Sequence, residues 1–286
     1  MKFKVKRETI YGYTFILPWI IGFLLLVLWP MIQSFYFSLN DMRITPHGLR
    51  FVYVGFNNYL NVWLQDMFFI EELVRFALDT LLRVPVIVVF ALIIAMLLNQ
   101  EVKFKGAFRT VFFLPVIVAS GPVIDQLLEQ GATSIPMVNQ DVIVGILTSI
   151  FPMWIATTIS DLFSQIITIL WYSGVQILIF LAVLQKINPS LYEAAKIDGG
   201  SNWECFWKIT LPTIKPIILI NMVYTLVALA NSGQNPIINL IYVNMFNATR
   251  GYGFASAMAW MYSVIIGLML LVIFLAFREK KSKRAF

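Results

Sequence analysis

The chain has 286 residues, 59% of them apolar and only 13% charged, with a mean hydropathy of +0.80. A typical soluble domain is about a quarter charged, so this composition excludes a soluble globular protein and calls for a lipid environment. One cysteine, Cys205, and one histidine, His47, exclude a disulfide framework and a His/Cys metal cluster. The net charge of +6 does not point to nucleic acid, because the basic residues flank apolar runs, where they set membrane orientation. The runs are continuous rather than alternating, which excludes a β-barrel and leaves an all-α integral membrane protein.

Lys2, Lys4, Lys6 and Arg7 precede a charge-free run from Thr9 to Asn40. It is too long and too aromatic for a cleaved signal peptide, and predicts a retained first span over 11–37 with kink sites at Pro18 and Pro30. Residues 41–72 read as an external loop with surface aromatics. The second span is expected at 73–98. Asp79 and Arg83 lie four apart within it and face one side as an ion pair, which serves either a wet solute path or plain structure. A short basic loop leads to a third span at 110–128, broken by Pro115 and Gly121-Pro122.

Val142–Ser160 and Leu162–Gln185 both lack charge, so hydropathy alone offers seven spans. Segments 1–8, 99–109, 186–215 and 278–286 hold four, three, four and five Lys plus Arg. Placing all four on the cytoplasmic side requires an even number of crossings between each consecutive pair. Six spans satisfy this, at 11–37, 73–98, 110–128, 162–185, 216–234 and 254–277. Val142–Ser160, with Pro152 near its middle, is then an external interfacial or re-entrant segment. Both termini are cytoplasmic, and the whole chain is one transmembrane domain.

The cytoplasmic stretch Asn188–Pro212 reads NPSLYEAAKIDGGSNWECFWKITLP. Ser190 with Glu193 and Ser201 with Glu204 have capping-box spacing. Gly199-Gly200 offers a φ > 0 stop, and Pro212 is expected to end the second helix. Two short capped helices on a membrane surface form a docking element.

Polar residues in the flanking spans fall into rows. Thr168, Trp171, Tyr172, Val175 and Gln176 share one helical face, as do Asn221, Tyr224, Ala228, Asn231 and Asn235. Such amides and aromatics either bind a hydroxyl-rich solute or bond neighbouring helices. The sequence has no G-x-x-x-x-G-K-[ST] phosphate loop, no G-x-S-x-G elbow and no H-E-x-x-H. Catalysis is therefore disfavoured. A self-contained secondary carrier or channel is the alternative, with Asp79 as its one coupling acid.

Glu193-Ala194-Ala195, Ile197-Asp198-Gly199 and Ile209-Thr210-Leu211-Pro212 resemble the EAA loop of binding-protein-dependent ABC importers. The longer LQKINPSLYEAAKIDGGSNWECFWKITLP resembles the carbohydrate-uptake permeases, of the larger maltose-permease subunit type. Residues 53–60, FKGAFRTVFFLP at 104–115 and Phe254-Ala255-Ser256-Ala257 agree with it. The resemblance implies a type I ABC importer permease fold in a bacterial or archaeal cytoplasmic membrane, surrounded by lipid. It implies a second homologous permease chain, two ATPase subunits that carry ATP and Mg, an extracytoplasmic solute-binding protein and a sugar substrate. Glu193, Ala194, Ala195, Asp198, Gly199, Leu211 and Pro212 would couple to the ATPase. Thr168, Trp171, Tyr172 and Val175 fall on the family's sugar-contacting face, and Tyr224, Ala228 and Asn231 on its other half, with Gln176 and Asn221 beside them on the path. The Gly-Gly-Pro usual between the last two spans of such permeases is replaced here by IINLIYVNMFNATRGYG.

Overall fold

A computed structural model describes residues 7–45, 48–100, 140–149, 152–233, 235–247 and 249–277. The expected third span at 110–128 lies outside these. In chain order the elements are α1 (Arg7–Phe23), a π-turn (Leu24–Leu28), α2 (Trp29–Ser38), β1 (Asn40–Thr45), β2 (Gly48–Tyr53), α3 (Asn57–Gln65) and α4 (Met67–Asn99). There follow α5 (Gln140–Thr148), α6 (Met153–Leu184), α7 (Pro189–Ile197), α8 (Asn202–Cys205), a second π-turn (Phe206–Thr210), α9 (Leu211–Ala230), α10 (Pro236–Met245) and α11 (Gly251–Phe277).

Among the described residues, four helical stretches are long and apolar enough to cross a membrane: Gly12–Ser38, Met67–Asn99, Asn202–Ala230 and Gly251–Phe277. Tyr172–Leu184 passes the same test only when taken together with α7, from which it is bent by 65°. Asp79 and Arg83 on α4 form the expected i, i+4 ion pair at 2.9 Å.

Three expectations change. Residues 142–160 are not a separate segment: α5 covers the first part, and Pro152, in an extended conformation, starts the 32-residue α6 at Met153. Residues 41–72 are not merely a loop. They hold an antiparallel hairpin in register Asn40↔Tyr53 to Thr45↔Gly48, then α3 and the first turns of α4. Arg43 sits opposite Arg50, and Asp41 accepts from Arg43 Nε at 2.7 Å, which offsets that like-charge pairing. Thirdly, Pro212 does not end a helix, and the reason recurs in the first span.

Each π-turn stops one residue before a residue-proline step. Trp29 N–H donates back to Leu24 and Leu211 N–H to Phe206, five residues earlier, just ahead of Pro30 and Pro212. A proline in an α-helix lacks a donor, and its ring collides with the carbonyl four residues back. Widening one turn moves that carbonyl aside and lets the helix continue.

The chain divides into two compact units, residues 1–77 with 231–268, and residues 78–230 with 269–286. The first is held by buried polar pins. Asn58 Nδ2 donates to the Ser38 and Asn40 carbonyls at 2.8 and 3.0 Å, and the Ser38 hydroxyl lies 2.7 Å from Tyr59 Oη. Asp66 caps α4 through Phe69 N–H and pairs with Arg250, which also donates to Asn244 and lies over the Phe254 ring. The start of α11 crosses the hairpin so closely that a Cβ at Gly253 would collide with the Asn40 carbonyl.

The second unit has an apolar core in which Val88, Ala91, Leu92, Ala95 and Leu98 of α4 meet Ile177, Phe180, Leu181 and Leu184 of α6, with Ile187 and Ile214. In lipid the hydrophobic effect does not drive helices together. The fully buried Ala91 and Ala95 instead let backbones approach and gain dispersion contact.

Replacing Gly253 by Ala should lower the thermal midpoint of the detergent-solubilised protein, at an overpacking cost of about 1–3 kcal/mol. Gly267→Ala on the same helix, where a Cβ meets nothing within 4 Å, should leave the midpoint unchanged or slightly raised.

Candidate functional site

The segment between α6 and α9 is built from four local devices. Pro189 sits at the first helical position of α7 and Asn188 precedes it, accepting from Ser190 N–H at 3.1 Å. Asn188 is therefore the N-cap. The expected Ser190–Glu193 capping box does not form, because Ser190 already lies inside the helix.

α7 ends in a Schellman motif. Gly200 N–H donates to the Ala195 carbonyl at 2.7 Å and Gly199 N–H to Lys196 at 3.1 Å. The two glycines serve different needs. Gly199 has φ +79° and open space around a would-be Cβ, so its requirement is conformational. Gly200 has no positive φ, but a Cβ there would come within 2.8 Å of the Ala195 carbonyl oxygen.

Directly after the bend, Ser201 and Glu204 form the expected capping box: Ser201 Oγ accepts from Glu204 N–H at 3.2 Å and Glu204 Oε2 accepts from Ser201 N–H at 2.9 Å. These Ser201 bonds, with Lys208 beside them, hold the Glu204 carboxyl below its usual range. α8, the π-turn and α9 then run on as one helix, and Tyr192 Oη, 2.8 Å from Thr210 Oγ1, ties α7 to that turn.

Of the residues singled out here by sequence, Glu193, Ala194, Asp198 and Gly199 are exposed, as is Pro212, while Ala195 and Leu211 are half-buried. The loop also exposes Leu191, Ile197, Trp203 and Trp207, of which Ile197 is 86% exposed. The sequence reading gave none of the four a docking role, although Ile197 stands inside the quoted motif. Their signal was apolar character inside an otherwise charged and glycine-rich loop.

The solute-path residues separate into two groups. Gln176 and Asn221 are fully buried. Gln176 Nε2 donates to Thr225 Oγ1 at 2.7 Å, and Thr225 Oγ1 donates to the Asn221 carbonyl at 2.7 Å. This relay ties α6 to α9, and among the described residues it leaves Gln176 Oε1 and both amide atoms of Asn221 buried without a partner. Thr225 was missed, though it stands four residues after Asn221 on the same face. Tyr224 is exposed and Tyr172 half-buried. Thr168 and Trp171 stand on α6.

The second polar row is interrupted. α9 stops at Ala230, so Asn231 lies beyond it, exposed and in the other compact unit. Asn235 instead caps α10 through Ile237 N–H, with Pro236 at its first position, and donates to Tyr262 Oη at 2.7 Å. Asn231, Ser232 and Gly233 are turn formers ahead of that proline, and they end the helix before the row is complete.

A profile of the family described as "Binding-protein-dependent transport system inner membrane component" matches residues 64–278. The probable ABC transporter permease protein YesP of Bacillus subtilis is 31% identical, over 94% of this chain and 91% of its own. The lactose transport system permease protein LacF of Rhizobium radiobacter is 28% identical over 94% and 95%. The trehalose/maltose transport system permease protein MalF of Thermococcus litoralis is 29% identical over 91% of each. A crystal structure of a bacterial alginate ABC transporter, in complex with an alginate pentasaccharide-bound periplasmic protein, contains a chain with TM-score 0.61 and 24% identity, over 95% of each.

Removing the Ser201 hydroxyl (Ser201→Ala) should cost about 1 kcal/mol of local helix stability, read as faster amide exchange over 202–206. The wild-type box depends on pH with a definite sign. A carboxyl held low when folded contributes its stability above the ordinary carboxylate range and loses it as pH falls through the depressed value. Exchange protection, corrected for intrinsic rates, should therefore stay level from neutral pH down to the ordinary carboxylate range, begin to fall as pH enters that range and level off below the depressed value.

Proposed function

From the premise that the chain belongs to the family of binding-protein-dependent transport system inner membrane components, we propose that this multi-pass permease imports a sugar, working as half of a membrane heterodimer by alternating access. The observation that carries the reading is the bent, doubly capped loop at 188–212. It presents Glu193, Ala194 and Asp198 together with exposed apolar side chains, in a chain with no phosphate loop of its own.

In this reading two partner ATPase subunits bind ATP and Mg, and the loop with Glu193, Ala194, Ala195, Asp198, Gly199, Leu211 and Pro212 docks on them. An extracytoplasmic binding protein delivers the solute from the other side, and both termini are cytoplasmic. Relatives named as lactose and trehalose/maltose permeases support a carbohydrate substrate. Tyr224 and Tyr172, with Thr168 and Trp171, are the residues proposed to meet it, because an aromatic face packs against the apolar face of a sugar ring. Gln176 and Asn221 act behind them, holding α6 and α9 in register.

Co-purification from native membranes tests the assembly: a sibling membrane chain and an ATPase should accompany this protein, and its recovery alone would overturn the reading. In proteoliposomes holding the assembled importer, Gly199→Val should leave ATP hydrolysis intact while uptake falls. A β-branched residue at φ > 0 costs about 1–2 kcal/mol and disturbs the bend. Tyr224→Ala should lower uptake without loss of assembly; loss of assembly would assign Tyr224 to packing.

A further inference from the structure

The short helix α3 divides its surface into three faces. At about 100° per residue, Asn58, Val62 and the following Asp66 fall on one side, and all three are buried. Asn57, Asn61 and Gln65 fall on a second side, uncharged and polar, with Gln65 Nε2 donating to Asn61 Oδ1 at 3.3 Å. Phe56, Leu60, Trp63 and Leu64 fall on the third side, continued by Met67 at the start of α4. These five side chains are 55–74% exposed.

A helix packed only against its own protein and water needs two faces, one apolar and buried, one polar and wet. Here the face toward the protein is secured by polar pins from Asn58 and Asp66, and a separate apolar stripe is left outside. No exposed residue of α3 carries a charge. The stripe runs without interruption into Met67 and Phe68, the exposed first residues of a membrane-crossing helix. A tryptophan at its centre is the residue type enriched where hydrocarbon meets headgroups.

We propose that α3 lies in the plane of the membrane, at the end of the first span opposite the N-terminus, with Phe56, Leu60, Trp63, Leu64 and Met67 seated in the headgroup–acyl boundary. Its polar face of Asn57, Asn61 and Gln65 looks to water. Seating of this kind reaches about 5–10 Å into the bilayer. It fixes the depth of the hairpin and of the start of α4, since Asn58 and Asp66 bind both to the same helix. The occupant is a lipid surface, and the lack of charge on the stripe requires no anionic lipid.

The test places a nitroxide label at Leu60→Cys, Leu64→Cys or Gln65→Cys in a Cys205→Ser background, in the assembled importer reconstituted into phosphatidylcholine vesicles, with retained uptake as the check on folding. Collision with dissolved oxygen should exceed collision with a water-soluble nickel chelate several-fold at 60 and 64, and the order should reverse at 65. Free access of the chelate to all three positions would overturn the proposal in favour of a solvent-exposed helix. Exclusion of both reagents at 60 and 64 would overturn it in favour of a protein partner covering the stripe.

Discussion

The hydrogen bond from Gly200 N–H to the Ala195 carbonyl is the constraint on which the arrangement of the second unit turns. Within a few residues it must stop one helix, satisfy its last carbonyls and deliver the chain to the start of the next. Without it α7 would run on as a helix, and the Ser201–Glu204 box would have no free N-terminus to cap. The Tyr192–Thr210 contact depends on the same bend, because it joins the two sides of the turn. Tyr192 and Ile209 in turn pack against the core formed by α4 and α6. A movement of the loop is thus transmitted to packed helix faces through short, stiff links rather than through a flexible tether.

Much of this was legible in the residues. Gly199 could be assigned φ > 0 because a capping pair stands directly behind it, and Ser201 with Glu204 declared the helix start. The Asp79–Arg83 pair followed from spacing alone. Less legible were features in which two local signals compete. Asn188-Pro189 and Ser190 both propose an N-cap, and the proline decides it, because its fixed φ and missing donor suit the first helical position. Pro212 looks like a helix end, and Pro30 like a kink, to a reading that admits only α-turns. The hairpin was hidden because its strands hold several charged and polar residues in a chain dominated by apolar runs.

The polar rows show a limit of periodicity of another kind. Thr168 through Gln176 and Asn221 through Asn235 share the spacing of a helical face, but a face is a stripe of some width. Gln176 and Asn221 fall on the edge that packs, while Tyr224 falls on the edge that does not. Spacing cannot separate these edges, since both satisfy it; only the neighbouring helix can. Asn231 and Asn235 extend the spacing arithmetically past the point where Ser232, Gly233 and Pro236 have already ended the helix.

The two π-turns also index the helices that contain them. Each wide turn adds one residue relative to an α-helix, so residues on either side are rotated by about 100° from where an unbroken helix would put them. In the helix from Asn202 to Ala230 the part that carries Trp203 and Glu204 and the part that carries Asn221 and Tyr224 are therefore phased separately. Loss or gain of one residue between Phe206 and Thr210 would leave both ends locally intact while turning one against the other. The extra residue works as a gear setting between the cytoplasmic end of the helix and its membrane faces.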